Sequence, residues 1–331
     1  MARTATQVET LVIGSGSLGS LLAARLSAAG VPVTLFGRPS PHLSRIAGKW
    51  LTVEEPAGSR LTVRLRTGTY GHPIRRPSLA IVAVKTWATE EALRPLLPAL
   101  EQAEAVLTLQ NGLGNAQRLR QLLPEQVRVL TGVTTQGALR TDPGVVRDTG
   151  SGETWIGSEF APAEPATRAL AERIAGMLSD AGWPSTAVDN ILPPLWTKLA
   201  INAAINPLTA LTRVPNREIA EDPNLAQLAA YLASEAAAVA ATLGIPLERP
   251  VERALEVARA TGENRSSMLR DIEQGRRTET EAITGAIHEL GEAHGVNTPI
   301  TTMMTIMVYA LERSVVIPAE PPEVPPAPVE E

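Results

Sequence analysis

Gly14-Ser15-Gly16-Ser17-Leu18-Gly19 stands directly after the apolar run Val8–Ile13 and just before Leu21-Leu22-Ala23-Ala24-Arg25-Leu26, a helix-forming segment closed by Gly30 and Pro32. A second apolar run, Val33–Phe36, follows. Runs of this length predict strands, so the chain opens with strand, glycine turn, helix, strand. Each glycine has its own use in such a turn. Gly14 permits the tight bend, Gly16 lets the backbone approach a pyrophosphate, and Gly19 lets the helix pack close to the strand. The helix N-terminus then presents amide donors and the positive end of its dipole to phosphates. A bare G-x-G-x-x-G is weak evidence, because glycine-rich turns are common; the two flanking strands give it weight. The segment from Gly14 to Gly19, including Ser15, Ser17 and Leu18, is therefore expected to hold a dinucleotide.

The end of the second strand selects which one. Asp or Glu there would hydrogen-bond a ribose 2′-hydroxyl and repel a 2′-phosphate. Here the chain reads Phe36-Gly37-Arg38, with no carboxylate and a guanidinium that can grip a phosphate through its planar fork. NADPH is the expected cofactor. The alternative is that Arg38 is an ordinary surface charge.

Apolar runs of strand length continue at Leu79–Val84, Ala105–Leu109 and Val127–Leu130, alternating with helical segments Thr89–Leu97 and Asn115–Leu122. The first two read as buried parallel strands. Ligands of open α/β sheets sit outside the C-terminal strand ends, which points at Lys85-Thr86 and at Gln110-Asn111-Gly112-Leu113-Gly114-Asn115. Lys85 can neutralise phosphate or pair with a surface acid. Asn111 can both donate and accept, as orienting a nicotinamide or a carbonyl requires; Asn-Gly is also a common turn. Residues 133–156 read as β-rich around a Pro143-Gly144 turn, Ala166–Ala181 as helix and Ser185–Val188 as a short strand. Residues 1–190 thus form one expected domain, NADP-binding and α/β.

From about Ile191 long Ala/Leu-rich helical patterns take over, notably Leu225–Leu243 and Val251–Ala260. Within the apolar segment 195–207, Lys198, Asn202 and Asn206 recur every fourth residue. Such a row drifts by only about 40° per step on a helix, so the three make one polar stripe. The stripe either faces solvent or lines a wet cleft. Two amides in register are awkward helix formers, and burial without partners costs several kcal/mol, in order-of-magnitude terms, which favours the cleft. A lysine against an apolar wall can serve as an acid near neutral pH. A second polar cluster, Gly262-Glu263-Asn264-Arg265-Ser266-Ser267-Met268-Leu269, reads as a helix start with Ser266 or Ser267 as cap. Arg276-Arg277-Thr278-Glu279 follows. Residues 191–315 are the expected helical substrate and catalytic domain. Residues 316–331 form a tail rich in Pro and Glu, expected to be disordered.

Composition excludes other classes. Lys and Arg number 30 against 35 Asp and Glu, and aromatics make up 3%, so the chain has neither the basic surface nor the stacking platforms of a nucleic-acid binder. It has no Cys, hence no disulfide framework or thiolate metal site. The spacing of His42, His72, His288 and His294 makes no ligand set, His288 and His294 are expected on an exposed helix face, and no metal is expected. Without a signal-type leader or an uncharged stretch of about 20 apolar residues, the expectation is a cytoplasmic protein with no membrane partner, monomer or homodimer.

The stretches GSGSLG, AVKT, QNGLGN, LWTKLAINAAINPLTALTRVPN, ENRSSMLRDI and RRTE, in that order, resemble the ketopantoate reductase (2-dehydropantoate 2-reductase) family over residues 10 to about 310. The resemblance implies an N-terminal Rossmann domain, an all-α C-terminal domain and a cleft between them. It also implies NADPH-dependent reduction of 2-dehydropantoate to (R)-pantoate, a step of pantothenate and coenzyme A biosynthesis. On this basis Lys198 is the general acid, Asn202, Asn206 and Asn216 contact the substrate, and Ser267 binds its carboxylate with Asn264 nearby. Glu279 contacts the cofactor or the substrate hydroxyl. Lys85, Asn111 and Ala138 fall on cofactor-side positions, and Arg38 on that for the 2′-phosphate. Asn111 is also a substrate-side candidate. Two alternatives stand beside this one: a reductase of another branched 2-oxo acid, and a non-catalytic nucleotide sensor.

Overall fold

A computed structural model describes residues 9–72, 74–150, 152–160 and 164–315. The Pro/Glu-rich tail, residues 316–331, lies outside the described residues. The chain divides into two compact units. One comprises the chain up to Ala200 together with Ala236–Glu248; the other comprises Ile201–Glu235 and the chain from Arg249 on.

The first unit opens with β1 (Thr10–Ile13), α1 (Ser17–Ala28) and β2 (Val33–Phe36). Then come α2 (Pro41–Gly48), β3 (Leu51–Glu54), β4 (Arg60–Val63), β5 (Arg66–Gly68), β6 (Leu79–Val82), α3 (Thr89–Leu93) and α4 (Leu97–Leu100). It continues through β7 (Ala105–Thr108), α5 (Asn115–Leu122), β8 (Arg128–Thr134), β9 (Gly137–Asp142), β10 (Val145–Gly150), β11 (Thr154–Gly157), α6 (Pro165–Asp180), β12 (Ser185–Ala187) and the start of α7 (Leu192–Thr212). The larger sheet has the order β12-β11-β8-β7-β6-β1-β2-β5. Its run β5-β2-β1-β6-β7-β8 is parallel throughout and doubly wound, with the order reversing between β1 and β6. β1, β6 and β7 are buried on both faces, as parallel strands covered by helices must be. Val12, Leu35, Ile81 and Leu107 point into one core, and Ile13, Phe36, Val82 and Val106 into the other.

A second sheet has the order β4-β3-β10-β9; β9 and β10 flank the expected Pro143-Gly144 turn, whereas β3 and β4 went unread in the sequence, although Leu51-Thr52-Val53-Glu54 alternates buried and half-buried. It is tied to α1 by polar contacts. Arg25 of α1 bonds Glu55 at 2.6 and 2.7 Å and Asp148 at 2.8 Å. His42 of α2 is buried, with Nε2 3.0 Å from Ser20 Oγ and Nδ1 accepting the Gly144 N–H at 2.9 Å. Nδ1 therefore carries no proton, and the ring is neutral. Burial, aided by Arg140 and opposed by a bond to the Asp142 backbone, lowers its pKa to about 4.

The single helix expected at Thr89–Leu97 is corrected to α3, a 3₁₀ turn at Arg94–Leu96 and α4. Pro95 and Pro98 cannot donate the N–H groups a continuous helix needs.

The second unit is helical. α7 runs into it, followed by α8 (Glu218–Glu221), α9 (Pro223–Thr242), whose residues from Ala236 on belong to the first unit, α10 (Pro250–Ala260), α11 (Ser267–Glu273), α12 (Ala286–Ala293) and α13 (Pro299–Val315). Its core joins Ala204, Leu208, Ile219, Leu232, Ala254 and Met304. Among the described residues α9 is long and apolar enough to cross a membrane by length and composition, with a mean hydropathy of 1.2. It is not uncharged, since Glu235 accepts the N–H groups of Ile300 and Thr301 at 3.0 and 2.7 Å, in the first turn of α13. His288 is half-buried rather than exposed, within 2.9 Å of the Thr302 hydroxyl; His294 is exposed, as expected.

Candidate functional site

Gly14, Arg38, Lys85 and Asn111 all follow the carboxyl ends of parallel strands, β1, β2, β6 and β7, and so share one edge of the sheet. Gly14 has φ +123°, and a Cβ there would lie 2.7 Å from the Ala83 carbonyl just beyond β6. A Cβ on Gly19 would stand 2.0 Å from the Gly14 carbonyl oxygen. At Gly16, which is exposed and caps α1 without a side chain, a Cβ would meet nothing within 4 Å. The turn is thus packed from behind and open in front of the helix N-terminus, the shape a pyrophosphate requires. Ser17 Oγ accepts the Arg140 N–H of β9 at 3.0 Å, and Ala138, half-buried, stands two residues earlier on that strand. Ser15 and Leu18 are half-buried. Arg38 is exposed, and Lys85 half-buried.

Lys198 and Asn111 are brought together. Lys198 is half-buried on α7, and its Nζ donates to Asn111 Oδ1 at 2.9 Å. An ammonium only donates, so the contact sets the orientation of the Asn111 amide. The loop carrying Asn111 is itself held. Gln110 Nε2 donates to the Val84 carbonyl at 3.0 Å and to Thr89 Oγ at 2.8 Å, while its Oε1 accepts from Thr108 Oγ at 3.0 Å. Asn115 Nδ2 donates to the Asn111 and Gly112 carbonyls at 3.0 and 3.3 Å. Sequence reasoning passed over Gln110 and Asn115 as supports; the signal was three amides within six residues at a strand end.

On the second unit's part of α7, Asn202 is half-buried and Asn206 is 6% exposed. Thr209 Oγ donates within reach of the Ile205 and Asn206 carbonyls, both 3.0 Å away, and is 2.7 Å from Ser266 Oγ. Ser266, not Ser267, caps α11, accepting the Leu269 N–H at 3.0 Å. Ser267 begins the helix and is exposed, as is Asn264. Asn216 is buried; its N–H donates to the Asn264 carbonyl at 2.9 Å and its Nδ2 to Thr261 Oγ at 2.9 Å, leaving Oδ1 buried without a partner. Glu279 is 5% exposed. It precedes a π-turn at Glu281–Gly285, a backbone irregularity that often accompanies functional positions and that the sequence did not signal. No group of His, Asp and Glu that could hold a metal occurs among the described residues.

The sheet order and glycine turn define a dinucleotide-binding α/β protein of the Rossmann class. Comparison with known proteins narrows this. The ketopantoate reductase PanE/ApbA family matches residues 10–159, and the PanE/ApbA C-terminal family matches residues 190–312. A 2-dehydropantoate 2-reductase of Halobacterium salinarum is 36% identical over 307 residues, covering 92% of this chain and 99% of its own. The crystal structure of 2-dehydropantoate 2-reductase from Geobacter metallireducens matches at 30% identity with a TM-score of 0.82, covering 92% of this chain and 99% of that one. The ternary structure of D-mandelate dehydrogenase with NADH and anilino(oxo)acetate matches at 25% identity with a TM-score of 0.86, covering 93% and 100%. The chain belongs to the ketopantoate reductase PanE/ApbA family. It is an oxidoreductase of the ketone/CH–OH type with a nicotinamide cofactor.

Proposed function

We propose that this chain reduces 2-dehydropantoate to (R)-pantoate with NADPH, with residues 1–190 binding the cofactor and 191–315 the substrate. The observation that carries this reading is the Lys198–Asn111 bond, a cationic donor held at the carboxyl edge of a dinucleotide-binding sheet at 2.9 Å. Gly14 to Gly19 would hold the pyrophosphate, Arg38 the 2′-phosphate, and Lys85, Asn111 and Ala138 the rest of the cofactor. When bound, a reduced nicotinamide supplies the hydride that adds to the C2 ketone of the substrate. Negative charge then gathers on the carbonyl oxygen. The Lys198 ammonium stabilises that charge and donates the proton that makes the hydroxyl. Asn111, locked by Gln110 and Asn115, keeps the ammonium aimed, so little reorganisation is needed as charge develops. Asn202, Asn206 and Asn216 offer amide donors to the substrate, and Ser267 with Asn264 suits its carboxylate. Glu279, buried, accepts from a hydroxyl of cofactor or substrate. A cytoplasmic enzyme without nucleic-acid or membrane partners is the setting that fits.

A second reading keeps the chemistry and changes the acyl branch. It is favoured by the likeness to D-mandelate dehydrogenase solved with NADH and anilino(oxo)acetate, whose TM-score of 0.86 exceeds the 0.82 of the 2-dehydropantoate 2-reductase. Initial rates of NADPH consumption with 2-dehydropantoate and a panel of branched and aryl 2-oxo acids separate the two. The proposal expects the highest kcat/KM with 2-dehydropantoate. A larger value for an aryl or other branched acid moves the assignment, and no turnover with intact cofactor binding refutes both.

A further inference from the structure

Glu279 sits between two threonines, and the backbone N–H of the first, Thr278, is held from a different helix. Glu312, near the end of α13, is itself 9% exposed. Its Oε1 accepts the Thr278 backbone N–H at 2.7 Å and also the Thr278 hydroxyl proton. Thr278 Oγ accepts the Thr280 N–H at 3.1 Å and lies 2.8 Å from the Thr280 hydroxyl. That hydroxyl also faces the sulfur of Met268, 3.7 Å away on α11. On the other side, the Gly285 N–H donates to the Thr280 carbonyl at 3.0 Å, and those of Ala282 and Ile283 to the Glu279 carbonyl at 3.1 and 3.2 Å.

A carboxylate buried to this degree is costly to desolvate, and an apolar side chain would fill the same space without that cost. Glu312 directs both of these bonds at one residue, Thr278. Two bonds to one acceptor atom fix Thr278 in position and rotamer, and through Thr278 Oγ they fix the turn into Thr280. The residue between them has little freedom left. We propose that Glu312 is a positioning residue: it aims Glu279 without touching substrate or cofactor. The inference rests on the reading of Glu279 given above, and α13 enters the catalytic apparatus through it.

The test uses the full chain. Glu312→Leu removes the acceptor, whereas Glu312→Gln keeps Oε1. Small displacements of a catalytic group can cost up to about 100-fold, so Glu312→Leu is expected to lower kcat/KM for the 2-oxo acid by about 10- to 100-fold. Glu312→Gln is expected to stay within about threefold of the parent, because both bonds retain an acceptor. In a Glu279→Ala background, Glu312→Leu should cost less than about threefold more, as residues acting through one another are non-additive. Should Glu312→Leu fail to fold, Thr278→Val, which keeps the backbone bond and loses the hydroxyl, is expected to show the same non-additivity. Parental kinetics in folded Glu312→Leu, or losses that multiply with Glu279→Ala for either variant, would overturn the inference. Full activity in Glu279→Ala would instead refute the role of Glu279 itself, and the inference with it. An impaired Glu279→Ala beside an unimpaired Glu312→Leu refutes the positioning role alone.

Discussion

Gly16→Ala separates cofactor binding from folding. Gly16 caps α1 at φ −75° and ψ −173°, angles an alanine adopts without strain, and its Cβ would have no neighbour within 4 Å. Replacing a glycine N-cap by alanine costs about 0.7 kcal/mol, the difference between the two residues as caps, and the stiffer unfolded chain returns about 0.4–1 kcal/mol. The net change in stability is close to zero, so the melting temperature without cofactor should move by less than about 4 °C. The new methyl, however, occupies the space in front of the helix N-terminus. Hydrogen bonds from amides to a charged phosphate are worth about 1.5–3 kcal/mol each, and displacing one or two weakens NADPH binding by about 100-fold. Gly19→Ala makes the contrasting case, because its Cβ would stand 2.0 Å from the Gly14 carbonyl oxygen and must disturb the fold. Titration calorimetry with NADPH and thermal denaturation measure both quantities. The reasoning fails if Gly16→Ala binds NADPH within about threefold of the parent, or if Gly19→Ala melts and binds as the parent does.

Two further outcomes follow from charge. Arg38→Ala should raise the Kd for NADPH by about 10-fold or more while leaving NADH nearly unchanged, since only the former carries the phosphate that the guanidinium would grip; equal losses for both cofactors would refute the assignment. For His42, the folded pKa of about 4 lies below an unfolded value near 6.5, so the unfolded chain binds more protons between them and stability rises with pH. The contribution is complete above about pH 6.5 and lost as pH falls through about 4, amounting to at most about 3 kcal/mol. Urea midpoints should therefore drop on acidification, and His42→Gln should flatten that slope; an unchanged slope in the variant refutes it.

The parts of the molecule legible in the sequence are those set by local chemistry. Gly14 and Gly19 were readable because backbone geometry and close packing exclude any Cβ there. The strand Val33–Phe36 and the helix Asn115–Leu122 appear with the bounds the apolar pattern predicted. Lys198, Asn202 and Asn206 share α7 as their spacing required. Less legible was whatever depends on partners distant in the chain. Nothing near Lys198 announces that Asn111, 87 residues away, accepts its hydrogen bond. The choice of Ser266 over Ser267 as cap depends on backbone angles at the helix entry, to which two adjacent serines give no clue. The π-turn after Glu279 and the hold of Glu312 on Thr278, 34 residues away, are not set by local propensity.

Lys198→Ala is the most direct test. Steady-state turnover of the 2-oxo acid is measured beside NADPH affinity in the same preparation. With the ammonium as proton donor and oxyanion partner, kcat should fall by about three orders of magnitude or more while NADPH binds nearly as before. A variant that binds NADPH and keeps most of its turnover would contradict the account.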